Sequence, residues 1–93
     1  MPIKRCVLNG LKIHSLDDLY AQLKKRLSLP AYFGRNLDAL WDVLSADVEG
    51  PFKIVWKHGD ASKKFMGRDF NRAVKLLRDL EKERHDFQLT VEL

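Results

Sequence analysis

The chain has 93 residues, 45% hydrophobic and 32% charged, which excludes a disordered polymer and fits one domain with one core. A lone cysteine, Cys6, excludes an internal disulfide, and no Cys/His cluster has zinc-site spacing. The net charge of +4 is uneven: between residues 30 and 50 Arg35 stands against Asp38, Asp42, Asp47 and Glu49, leaving −3 there and +7 elsewhere.

Residues 3–8 read as a first strand, ended by a turn at Asn9-Gly10. Asn-Gly also admits a hairpin with residues 11–14 as the returning strand, but that segment is short and a helix start follows at once. Beside Val7 and Leu8, Cys6 reads as a buried thiol rather than a nucleophile. The N-terminus lacks an apolar signal core and no apolar run approaches ~18 residues, so a cytoplasmic protein without a membrane segment is expected.

Ser15 to Asp18 forms a capping-box-like start, followed at helical spacing by Leu16, Leu19, Tyr20, Leu23 and Leu27. Lys24, Lys25 and Arg26 fall in the last turns, where the helix dipole favours cations. The same cluster could also bind phosphate.

Residues 29–44 organise the rest. Pro30 ends the preceding helix and biases Leu29 toward extended backbone. Gly34 is expected to permit a turn, and Asn36 to cap the helix that follows, over residues 36–46. Leu37, Leu40, Trp41 and Leu44 make its apolar stripe. Asp38 and Asp42, one turn apart, share a face with a rise of roughly 6 Å between them. Like charges at that spacing work against an isolated helix by about 0.2–0.5 kcal/mol. Beside them lie two loop aromatics, Tyr32 and Phe33, at least one of which is expected to remain exposed. A repelling carboxylate pair next to loop aromatics suits a surface that meets a cationic partner. It is equally compatible with an ordinary solvated helix face.

Gly50-Pro51 breaks the pattern, and residues 52–56 form the most continuously apolar strand, expected at the centre of a sheet buried on both sides, with Trp56 in the core. Asp60 is a candidate cap for a short helix over residues 61–66. That helix has few apolar anchors and is expected to be the least firmly held element. Asp69 is a candidate cap for the last helix, whose buried stripe is Phe70, Ala73, Val74, Leu77 and Leu80. Its other face alternates in sign, as solvated helices with i,i+4 pairs do. Residues 87–93 alternate cleanly and read as an edge strand.

The order β-α-α-β-α-α-β implies an α/β fold, a parallel sheet in the order 1-2-3 with about four helices mainly on one face. His14, His58 and His85 are scattered, and no Gly-rich phosphate loop or metal-spaced helix is present. Asp38 and Asp42 lack the opposed geometry of an acid/base pair. The chain therefore reads as a non-enzyme with no cofactor and no metal.

The run Leu-Pro-x-Tyr-Phe-Gly-x-Asn-Leu-Asp-Ala-Leu-Trp-Asp at residues 29–42 resembles the signature of the barstar family of intracellular ribonuclease inhibitors. Weaker similarity extends over nearly the whole of residues 1–93. The resemblance implies the same three-stranded parallel fold and a loop-helix that plugs the active site of a small, basic, barnase-like ribonuclease or related toxin nuclease. By it, Asp42 is the carboxylate that imitates the substrate phosphate and Asp38 the second one on that face. Tyr32 matches the aromatic that stacks at the nuclease site. Phe33, Gly34, Asn36, Leu37, Trp41 and Ser45 belong to the surrounding binding surface, with Trp41 equally assignable to core. Asp79 falls near a family glutamate, on a shorter side chain.

Three departures bear on the target. The family's known inhibitor is acidic, whereas this chain is basic; Asp47 replaces a rim aromatic; Arg35 replaces a loop acid. A monomeric inhibitor of a small ribonuclease is the first reading, and a scaffold kept for a changed target belongs to the alternative. The alternative is a regulatory or nucleic-acid-interaction module using Lys24, Lys25, Arg26 and the last helix.

Overall fold

Residues 3–31 and 33–93 are described by a computed structural model of the chain. Its sheet has the expected order, with β1 (Lys4–Asn9), β2 (Phe52–Lys57) and β3 (Phe87–Val91) all parallel and β2 central. The register aligns Cys6 with Ile54 and Leu89, and Leu8 with Trp56 and Val91. One face, built from Cys6, Leu8, Phe52, Ile54, Trp56, Phe87 and Leu89, is buried in the core. Burial pushes the Cys6 thiol up to about 11, so it is protonated at neutral pH.

The other face corrects the expectation of a strand covered on both sides. Its rows are Arg5-Lys53-Gln88 and Val7-Val55-Thr90. Arg5 and Gln88 are exposed, and Val55 is buried yet stands outside the core cluster. The core cluster draws its helical residues onto the Ile54 face. Polar rows with long aliphatic stems border the apolar row on the other side.

The turn after β1 is a single 3-10 turn, Gly10–Lys12, not a hairpin strand. Helix α1 (Leu16–Leu27) starts where expected: Ser15 Oγ accepts from Asp18 N, while the Asp18 carboxylate reaches past the cap to accept from His14 N at 2.9 Å. It buries Leu19, Tyr20, Leu23 and Leu27 and ends with Ser28 in the left-handed region.

Helix α2 (Leu37–Asp42) is followed directly by a π-helical turn, Val43–Asp47. Helix α3 (Gly59–Met66) begins two residues earlier than expected. His58, in the left-handed region, is its N-cap residue without a side-chain bond, and Asp60 lies in the first turn. Helix α3 does carry one buried polar anchor. Ser62 is fully buried, its hydroxyl accepting from Trp56 Nε1 at 3.0 Å and donating to Gly10 O at 2.8 Å.

Helix α4 (Arg68–Glu83) is preceded by Gly67 at φ 58° as its N-cap residue, so Asp69 is not the cap; it pairs with Arg72 instead. Phe70, Ala73, Leu77 and Leu80 are buried as expected, with Val74 half-buried. Among the described residues, no helix is long and apolar enough to cross a membrane.

Candidate functional site

The acidic helix is fixed at its start by local chemistry. Asn36 Oδ1 accepts from Ala39 N at 2.7 Å, and its amide donates to Gly34 O at 3.2 Å. The left-handed residue of the loop is Arg35, at φ 47°, not Gly34. Gly34 sits at a close approach: a Cβ there would lie 3.3 Å from that of Ala39 in α2, so one of the two would have to give by a few tenths of an ångström. Tyr32 lies outside the described residues.

Of the two loop aromatics, Phe33 is the buried one, and the expectation of an exposed ring falls on Tyr32, outside the described residues. Phe33 is 7% exposed and packs edge-on against Tyr20, with ring centroids 5.8 Å apart. Its ring belongs to the core, since Phe33 N donates to Pro30 O and the short loop folds the side chain back on α1. Phe33 therefore supports the surface from beneath.

Asp38 and Asp42 are both exposed on α2, and neither side chain has a hydrogen-bond or ion-pair partner among the described residues. Asp79 differs: Lys75 Nζ donates to it at 3.0 Å, one turn earlier on α4. Part of its charge is thus spent within the chain.

Leu37, Asp38 and Trp41 face Arg72, Lys75, Leu76 and Asp79 across an open cleft of about 340 Å³ between α2 and α4. Trp41, half-buried, packs on the core and also lines this cleft. A smaller cleft of about 180 Å³ lies between Phe33, Gly34 and the Asp42, Val43 and Asp47 side of α2. Ser45 is half-buried, and its hydroxyl donates to Asp42 O at 3.3 Å.

Two features escape the sequence reading. Arg72 and Lys75 put cations beside Asp38; the i,i+4 spacing of Lys75 and Asp79 was readable, but its position against α2 depends on the fold. Arg84 reaches the end of the π-turn from the other end of the chain, with no local signal at all. Its side chain bonds Asp86, and those bonds hold the Asp86 carboxyl below its ordinary range.

Two adjacent outward carboxylates thus stand beside an amphipathic cleft, and no group of three or more His, Cys, Asp or Glu among the described residues could hold a metal. The sequence profile of the family described as "Barstar (barnase inhibitor)" matches residues 3–93. The chain is also 31% identical over 91 residues to the "Putative ribonuclease inhibitor YrdF" of Bacillus subtilis (strain 168), covering 97% of this chain and 100% of that one.

Proposed function

Since the chain belongs to the barstar family, we propose that it inhibits a small ribonuclease by presenting Asp42 to the enzyme's phosphate-binding position, with Asp38 beside it. The observation that supports this most is the contrast among its acids. Asp38 and Asp42 stand outward one helical turn apart with no ion-pair partner among the described residues, whereas Asp79 is tied to Lys75. An anion on a capped helix costs the partner little reorganisation, and charge-assisted bonds to it strengthen as water leaves the interface.

Gly34, Asn36, Leu37, Trp41 and Ser45 frame this surface in the reading, Tyr32 adds an aromatic contact, and Asp79 plays a lesser part. The inhibitor acts as a monomer in the cytoplasm. A small basic nuclease of the barnase type is the first partner to test. The Arg72 and Lys75 wall of the cleft also favours an enzyme that offers an acid opposite them.

The test is inhibition of a guanyl-preferring ribonuclease by wild type and by Asp42→Ala. The variant should weaken inhibition by roughly ten- to a hundredfold for each charged hydrogen bond lost, with an unchanged unfolding midpoint. Equal inhibition by both proteins would remove Asp42 from the mechanism.

A second reading draws on Lys25 and Arg26, exposed and without an ion pair among the described residues. Were the chain an RNA-binding module, reversing the charge of Lys24 and Lys25 would abolish binding to single-stranded RNA and Asp42→Ala would leave it intact.

A further inference from the structure

Helix α2 has only six residues, too short to hold its shape without help at both ends. Asn36 fixes the start. At the other end the backbone widens into the π-turn, where Val48 N donates five residues back to Val43 O at 3.1 Å. Helix ends leave carbonyls that must find other donors. Here one side chain supplies them. Arg84 Nη1 donates to both Leu44 O and Val48 O at 2.7 Å. Its Nε and Nη2 donate to the two Asp86 oxygens, each at 2.8 Å, and its guanidinium carbon lies 4.9 Å from the centre of the Phe52 ring. The Arg84 side chain is only 14% exposed.

The clamp has no slack on its remaining side. A Cβ at Gly50 would collide with the Asp86 carboxylate and lie 2.9 Å from Arg84 Nη2. Nor can Asp86 drift, because its own carbonyl accepts from Phe52 N at 2.9 Å, at the start of the central strand. The path from β2 through Asp86 and Arg84 to Leu44 is therefore continuous and polar, and it ends two residues beyond Asp42.

We propose that Arg84 is a positioning residue: it fixes the C-terminal end of α2 to the start of β2 and so sets where Asp42 stands. The proposal rests on the reading that Asp42 engages a nuclease. A planar fork is needed for the task, since four bonds leave one guanidinium in two directions; the ammonium of lysine can reach one carbonyl but cannot also grip Asp86 in two places. Binding groups need placement within about 0.5 Å, so loosening this end should cost affinity without any contact to the partner being lost.

The experiment compares wild type with Arg84→Ala and Arg84→Lys by amide hydrogen exchange and by dissociation from a guanyl-preferring ribonuclease. In Arg84→Ala the Val43 and Val48 amides should exchange about tenfold faster or more, relative to Ile54 in β2, with Arg84→Lys between. Dissociation should quicken about tenfold in the same order, and the loss caused by Asp42→Ala should shrink in the Arg84→Ala background. Uniform acceleration across the sheet would reduce Arg84 to a general stabiliser and overturn the proposal. So would an unchanged dissociation rate. If wild type fails to bind the nuclease, the inhibitor reading falls, while the exchange at Val43 and Val48 against Ile54 still decides whether Arg84 fixes α2.

Discussion

Ser62 shows how one buried hydroxyl can join three elements. It accepts from the Trp56 indole and donates to the Gly10 carbonyl, tying α3 to the central strand and to the turn after β1. Gly10 itself must be glycine, because a Cβ there would collide with the Lys57 and His58 carbonyls. Ser62→Ala would leave an indole N–H and a carbonyl without partners in a dry site. It should cost about 1–3 kcal/mol, measurable by urea unfolding. Trp56 was placeable in the core from sequence, as the aromatic end of the most apolar strand. Its partner was not, because a serine between Ala61 and Lys63 looks like solvent-facing helix and Gly10 lies 52 residues away. Phe33 is hard to place for a related reason: its neighbours mark a loop, and only the fold supplies Tyr20 beneath it.

At the scale of elements, signals that act over three or four residues were legible. The cap of α2 by Asn36 and that of α1 by Ser15 are present where the sequence puts them. Asn36→Ala should lower stability by about 0.5–2 kcal/mol in chemical denaturation, since Ala39 N loses its acceptor. The same change frees the first turn of α2, so inhibition of a nuclease should weaken as well. The caps expected at Asp60 and Asp69 failed because the chain enters α3 and α4 through the left-handed residue His58 and through Gly67, which shift each helix start by two positions. The π-turn and its Arg84 clamp have no short-range signature; the bonds span 36 and 40 residues.

Over the whole molecule, strand order, parallel pairing and helix number followed from the alternation of apolar strands with amphipathic helices. Charge placement did not. The ion pairs found among the described residues lie in α4 or at its exit, joining Arg72, Lys75, Arg78 and Arg84 to acids close in sequence. The cations of the first two strands take part in none of these pairs. Arg5 and Lys53 stand directly beside one another across β1 and β2, an arrangement that works against the sheet.

That juxtaposition gives the surrounding electrolyte an unusual influence on this fold. From about 0.01 M to about 0.15 M ionic strength the reach of a surface charge shrinks from about 30 Å to about 8 Å, which quiets repulsion between the two strands and across a chain of net charge +4. Thermal unfolding should therefore move to higher temperature as sodium chloride is added over that interval. Lys53→Gln should start from a higher midpoint and gain less. Dilute buffer, ordinarily chosen as the gentlest medium, would be the one in which this protein melts earliest.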